Sequence, residues 1–192
     1  MTRSRWVVLV LVLAALGVSL GYGLKGSPTK PDSSLAPLRS QAALEPCPSS
    51  LGTAFPDLTL RCLGGGPDVR IKGSGSGRPT LVNVYGSWCG PCQKEMPVLR
   101  AFHAKHAGVA LVGVDTEEQS DSLGLHFAID EQQHWAAVVD DERKVGAHFR
   151  PGVPLMLFVD RTGAVVHVED TGGYASLPQL EKDVRTYLGA AL

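Results

Sequence analysis

The sequence Trp88-Cys89-Gly90-Pro91-Cys92 places two cysteines between two predicted elements of secondary structure. The β-branched, apolar run from Thr80 to Tyr85 predicts a buried strand, and Gln93 to His106 predicts a helix. The first turn of a helix has unpaired N–H groups and the positive end of the helix dipole, which stabilise an anion such as a thiolate. We therefore expect Cys89 to be an exposed nucleophile with a lowered pKa and Cys92 to be the resolving thiol.

A zinc site is the alternative use of a Cys-x-x-Cys pair. Zinc would need two further nitrogen or sulfur ligands at matching spacing. The other cysteines, Cys47 and Cys62, are too far apart in sequence to form a second pair of this kind. A Cys-x-x-Cys pair that follows a strand and precedes a helix is the redox arrangement. The spacing therefore favours disulfide chemistry and predicts no metal.

The sequence resembles the thioredoxin superfamily in two places. One is the Trp-Cys-Gly-Pro-Cys motif, and the other is Gly152-Val153-Pro154 ahead of the apolar run from Leu155 to Asp160. The resemblance covers the chain from about Ala54 to the C-terminus. It implies a cis peptide bond between Val153 and Pro154, with the proline against the disulfide.

Two residues narrow the resemblance to one branch of the superfamily. Asn83 stands where ordinary thioredoxins have a buried aspartate, and Glu95 follows Cys92 by three positions. This combination is similar to the extracytoplasmic TlpA/ResA/CcmG-like (DsbE-like) proteins. It implies an α/β thioredoxin fold, with a central mixed sheet flanked by helices, an N-terminal β-hairpin arm and a strand–helix insert. We expect the insert at residues 136–139 and 142–148.

The position of Glu95 allows two interpretations. A carboxylate in the first turns of a helix is favoured by the helix dipole and needs no function. Glu95 also shares the helix face of Cys92, so a buried Glu95 with a raised pKa could exchange a proton with that thiol. The resemblance favours the second interpretation, which makes Cys89, Cys92 and Glu95 the candidate catalytic residues.

Three residues are candidates for binding the substrate. Pro154 has no N–H, and a cis bond would turn the chain so that the backbone of Val153 is free to pair with an extended substrate. Trp88, beside the first cysteine, would add an apolar docking surface. We therefore expect Trp88, Val153 and Pro154 to position the substrate.

The first 24 residues predict a membrane-targeting segment. Arg3 and Arg5 precede an uncharged run from Trp6 to Leu24. As a helix this run would be about 28 Å long, close to a bilayer core of ~30 Å. A signal anchor fits this length, and a cleaved signal peptide is the alternative. Either interpretation places the remainder outside the cytoplasm.

The rest of the chain divides into a linker and a domain. Residues 25–46 are rich in Ser, Pro, Ala and Leu and predict a flexible tether, and residues 47–192 predict one thioredoxin-like domain. The net charge of −1 over 192 residues gives no reason to expect nucleic acid as a partner. The segment from Asp115 to Ser122 predicts an acidic loop, in which we expect Glu117 and Glu118 to be solvated.

The four cysteines of an extracytoplasmic chain pair most economically as Cys47–Cys62 and Cys89–Cys92. The first pair would be a structural disulfide that joins the end of the tether to the first strand. The alternative is a second redox pair that relays electrons to Cys89. Neither Cys47 nor Cys62 has a predicted helix N-terminus to lower its pKa, which argues against the relay.

These inferences predict an extracytoplasmic thiol–disulfide oxidoreductase that needs no cofactor. It would exchange electrons with disulfides or dithiols of substrate proteins and with a membrane protein that donates or accepts electrons. The resemblance favours a reductase of the cytochrome c maturation type. The alternatives are an oxidase that introduces disulfides into secreted proteins, and a copper or haem-ligation chaperone that uses Cys89 and Cys92 as ligands.

Overall fold

The computed structural model describes residues 33–170 and 172–192. The predicted signal anchor, residues 1–24, and the first part of the predicted tether lie outside these residues. Within the described ranges, no helix is long and apolar enough to cross a membrane.

A mixed sheet of seven strands forms the centre of the part of the chain that the structure describes. The strands are β1 Thr59–Cys62, β2 Val69–Arg70, β3 Thr80–Tyr85, β4 Ala110–Thr116, β5 Ala137–Asp140, β6 Leu155–Val159 and β7 Val165–Glu169. Their order across the sheet is β2-β1-β5-β4-β3-β6-β7. The strands β3, β4 and β5 run parallel, and the other neighbouring pairs are antiparallel. The predicted mixed α/β architecture is confirmed.

Five α-helices accompany this sheet in the described residues. They are α1 Ala36–Ala42, α2 Gly90–Lys105, α3 Asp121–Asp130, α4 Lys144–Phe149 and α5 Leu177–Leu188. Because side chains alternate along a strand, β3 contributes to cores on both faces of the sheet. Leu81 and Tyr85 pack with α2 and α5, whereas Val82 and Val84 pack on the opposite face with Val145 of α4. The active-site motif therefore connects a central strand, buried on both faces, to a helix that covers one of them.

The N-terminal hairpin and the insert are both integrated into the central sheet. Strand β1 pairs with β2 as a hairpin, and its other edge pairs with β5. Strand β5 and helix α4 form the strand–helix insert predicted from the sequence, shifted by one or two residues at their ends. The arm thus extends the sheet instead of standing apart from it.

The segment from Ser33 to Pro46 differs from the flexible tether predicted for residues 25–46. A short 3-10 helix, Ser33–Leu35, leads into α1. Ala42 of α1 is buried in a cluster that includes Leu125 of α3, and Arg39 Nε donates a hydrogen bond to the Leu63 carbonyl oxygen at 3.1 Å. Composition failed to predict this helix because it is short, and tertiary contacts stabilise so short a helix more than its own sequence does.

A disulfide joins Cys47 to Cys62 across 15 residues of sequence. Cys62 is the last residue of β1 and is buried, with 4% of its surface exposed. The bond therefore attaches the end of the N-terminal segment to the arm of the sheet. Strands β5 and β4 separate β1 from β3, the strand that precedes the active-site motif.

Replacing both Cys47 and Cys62 with alanine should lower the free energy of unfolding by about 3 kcal/mol, because the bridge closes a loop of 15 residues. Urea denaturation of the oxidised protein, compared with wild type, measures the loss. The reduction potential of Cys89–Cys92 should stay the same. A shift of more than about 30 mV in that potential would contradict a purely structural role.

Candidate active site

The second disulfide, Cys89–Cys92, lies where β3 passes into α2. Cys89 is the N-cap residue of the helix, and its sulfur accepts a hydrogen bond from the Cys92 backbone N–H at 3.2 Å. Pro91 occupies the first turn, where a proline removes no intrahelical hydrogen bond. Once the bond is reduced, the same N–H and the helix dipole stabilise a thiolate on Cys89.

The exposure of the cysteines differs from the expectation of an exposed nucleophile. Cys89 is 4% exposed and Cys92 is 1% exposed. The sulfur of Cys89 accepts from the Cys92 amide, and both cysteines belong to a cluster of buried core residues. Trp88 is instead the prominent surface group, with 55% of its surface exposed. A partner would therefore meet the indole before it reaches the sulfur.

Glu95 is buried, with 2% of its surface exposed, one turn after Cys92. One carboxyl oxygen accepts a hydrogen bond from the Tyr174 backbone N–H at 2.9 Å, and the other accepts one from Asn83 Nδ2 at 3.2 Å. Burial raises the pKa of Glu95 to about 7, although both hydrogen bonds oppose the rise. Glu95 can therefore gain or lose a proton near neutral pH.

The loop before β6 approaches the disulfide from the other side. The Val153–Pro154 peptide bond is cis, and Val153 packs on the cluster of buried residues that contains both cysteines. Gly173 lies between Pro154 and Glu95, and a Cβ there would be 3.1 Å from Pro154 Cγ and 3.2 Å from Glu95 Cδ. This close approach, at a φ of +90°, requires glycine. The fold thus brings the candidate catalytic and substrate-binding residues together, whereas Cys47 and Cys62 lie elsewhere.

Sequence reasoning missed Glu118, which was expected to be solvated. Its carboxylate accepts hydrogen bonds from the Ser87 backbone N–H and, at 2.9 Å, from Ser87 Oγ. It therefore holds the residue two positions before Cys89. The order of the elements could have indicated this contact, because Glu118 follows β4 and Ser87 follows β3, and the carboxyl ends of neighbouring parallel strands meet at one edge of the sheet.

Asp115 is a second residue that the sequence analysis placed in the acidic loop. The structure extends β4 to Thr116, so Asp115 is in the strand and is fully buried. Its position directly after a continuous apolar run was the available signal for burial. Asp115 pairs in register with Tyr85, the last residue of β3. It therefore lies beside the strand that leads into the active-site motif.

Within the described residues, no group of three or more His, Cys, Asp or Glu side chains is arranged to hold a metal ion. The chemistry that the site can support with its own groups is sulfur exchange, with a titrating carboxyl one helical turn after Cys92.

Comparison with known proteins matches this chain to one family model and to relatives named as thiol–disulfide proteins. The sequence model of the AhpC/TSA family matches residues 51–168. "Thiol-disulfide oxidoreductase ResA" of Bacillus thuringiensis (strain Al Hakam) is 29% identical over 108 residues, 55% of this chain and 61% of that protein. "Thiol:disulfide interchange protein CycY" of Rhizobium leguminosarum bv. viciae is 32% identical over 102 residues, 52% of each protein. This chain thus spans less than two thirds of the length of these relatives.

A solved structure extends the comparison to the fold. MTB DsbF, in mixed oxidised and reduced forms, matches with a TM-score of 0.58 at 26% identity. The match covers 74% of this chain and 99% of DsbF. This likeness confirms the fold class expected from the sequence.

Replacing Glu95 with glutamine tests the buried carboxyl. A pKa raised from 4.5 to about 7 means that this group's contribution to stability is complete below about pH 4.5 and is lost as the pH rises through about 7. The stability of wild type relative to Glu95→Gln should therefore fall by about 2 kcal/mol between about pH 5 and about pH 8. Urea denaturation of both oxidised proteins measures the difference, and a difference that does not vary with pH would contradict a titrating Glu95.

Proposed function

Because the chain belongs to the AhpC/TSA family, we propose that it is a thiol–disulfide oxidoreductase in which Cys89 and Cys92 carry the exchanged electrons. The observation that carries the proposal is the Cys89–Cys92 disulfide at the N-terminus of α2, with the Cys92 amide donating to the Cys89 sulfur. The names of the ResA and CycY relatives support the same activity.

The proposed reaction has two exchange steps. In the reduced protein, the Cys89 thiolate attacks one sulfur of a substrate disulfide, which forms a mixed disulfide and releases the other substrate sulfur as a thiolate. The Cys92 thiol then loses its proton and attacks the Cys89 sulfur. That step forms the Cys89–Cys92 disulfide and releases the second substrate thiolate. Two electrons pass to the substrate, and the two thiolates take up protons to give the dithiol.

Glu95 is the proposed proton acceptor for Cys92. It lies one helical turn from Cys92, and its pKa of about 7 suits proton exchange near neutral pH. The backbone N–H of Tyr174 and the amide of Asn83 fix the orientation of the carboxyl. When the disulfide is reduced again, the same carboxyl can return the proton to Cys92.

Trp88, Val153 and Pro154 are the proposed substrate-binding residues. The indole of Trp88 is more than half exposed, and its Nε1 donates a hydrogen bond to the Thr116 carbonyl oxygen at 3.4 Å, which limits its rotation. A small cavity beside it is also lined by Val153. A substrate backbone in extended form would pair with Val153 while an apolar side chain covers the indole.

The proposed direction of the reaction is reduction, as in cytochrome c maturation. The dipeptide Gly90-Pro91 between the cysteines supports this direction. Thioredoxin, a reducing member of the superfamily that this chain resembles, has the same dipeptide. The apolar segment within residues 1–24 supports a signal anchor that keeps the domain outside the cytoplasm, or a cleaved signal peptide. A membrane protein would then supply the electrons.

The reduction potential of the Cys89–Cys92 couple tests the direction. We expect a value near or below about −250 mV, because thioredoxin lies near −270 mV. The measurement equilibrates the protein in glutathione or dithiothreitol buffers, traps the thiols by alkylation and counts them by mass spectrometry. A value near −120 to −150 mV would indicate an oxidase instead. The Cys89→Ser variant is the control and should show no two-electron couple at this site.

A further inference from the structure

Ser87 lies in the turn between β3 and α2, and its polar groups are bound from two sides. Its backbone N–H and its Oγ hydroxyl donate to the two carboxylate oxygens of Glu118, the hydroxyl at 2.9 Å. Its carbonyl oxygen accepts a hydrogen bond from Gln93 Nε2 at 2.8 Å. The loop after β4 and the first turn of α2 thus hold the peptide units on either side of this residue.

The end of β4 also holds Trp88. The indole Nε1 donates to the carbonyl oxygen of Thr116, two positions before Glu118, at 3.4 Å. The indole lies so close to Gly86 that a Cβ on that residue would be 2.6 Å from Nε1. Ser87 and Trp88 are therefore anchored to the end of β4 and the loop that follows it. Because the two residues are neighbours in the chain, release of the serine would also loosen the indole.

The sulfur of Cys89 has support of its own. It accepts from the Cys92 backbone N–H within α2, and the Cys89 N–H donates to the Gly86 carbonyl oxygen at 3.1 Å. Both cysteines are buried in the core cluster, whereas Trp88 is more than half exposed. None of these contacts of the cysteines involves Glu118. The hydrogen bonds of Glu118 therefore bear on the exposed indole more than on the reacting sulfur.

We propose that Glu118 is a positioning residue that acts on substrate choice: by holding Ser87 it fixes the indole of Trp88, and so it favours disulfides with an apolar residue beside the cysteine. This inference rests on the proposed function, because it requires that a substrate covers the indole. A fixed aromatic face binds an apolar side chain with less loss of conformational freedom than a mobile one. Loss of Glu118 should therefore weaken docking of such substrates and leave the exchange between sulfurs largely unchanged.

The test uses two synthetic peptides, each with one intramolecular disulfide, that carry leucine or glycine beside the first cysteine. The reduced full-length protein is mixed with each peptide, and acid quenching with mass spectrometry gives the second-order rate constant. Wild type should react about tenfold faster with the leucine peptide, because the indole covers that side chain. Glu118→Ala should react with both peptides at about the rate of wild type with the glycine peptide. If the couple is oxidising, oxidised protein and reduced peptides give the same comparison.

Two further variants separate the contact from the charge. In Glu118→Gln the side-chain amide oxygen can accept from the Ser87 N–H, and the amide nitrogen can donate to Ser87 Oγ. The preference for the leucine peptide should therefore be restored. Glu142→Ala is the control for the charge, because it removes an exposed carboxylate whose partner is Lys144. It should keep the preference of wild type.

A Glu118→Ala protein that keeps the preference for leucine would overturn the inference, as would an equal loss of rate with both peptides, which would place the effect on the sulfurs. If that variant does not fold, Ser87→Ala decides, because it removes one of the two hydrogen bonds to Glu118. It should lower the preference about threefold, and an unchanged preference would overturn the inference. A wild type that reacts equally with both peptides would overturn the inference alone, whereas one that reacts with neither would contradict the proposed function as well.

Discussion

The hydrogen bond from the Cys92 amide to the Cys89 sulfur is the contact on which the active site depends. It exists because a central strand ends at Tyr85 and a helix begins at Gly90, so that the intervening turn points a sulfur at unpaired N–H groups. The sheet fixes the end of the strand, and the core beneath α2 fixes the start of the helix. The remaining groups of the site approach this fixed pair of sulfurs from neighbouring strands and loops.

The pKa values of two buried carboxyls, Glu95 and Asp115, differ because only one of them receives hydrogen bonds. Glu95 receives bonds from Tyr174 and Asn83, which limit the rise of its pKa to about 7. Asp115 receives none, and nearby negative charges add to the effect of burial, so that its pKa reaches about 9. One group can therefore exchange protons at neutral pH, whereas the other keeps its proton.

The sequence was sufficient for features that depend on local pattern. The buried strand β3 and the helix after it follow from apolar periodicity, and the thioredoxin fold was implied by the resemblance that the Trp-Cys-Gly-Pro-Cys motif carries. It was insufficient where tertiary contacts decide the outcome. Helix α1 packs against α3, and Cys89 is buried in a cluster of core residues that come from several elements. Asp115 and Glu118 follow an apolar run, and the sequence predicted an acidic loop there. Because β3 and β4 are neighbours in the sheet, Asp115 is buried beside Tyr85 and Glu118 accepts hydrogen bonds from Ser87.

The pKa of the Cys89 thiol tests the central claim most directly. In the reduced protein, the rate of alkylation of Cys89 by iodoacetamide is measured across pH, with the modified peptide identified by mass spectrometry. The account predicts a pKa between about 3.5 and about 7.5, the range of thiols that a helix N-terminus activates. A pKa near the ordinary value of about 8.5 would contradict it, because the amino end of α2 would then give the sulfur no advantage as a nucleophile.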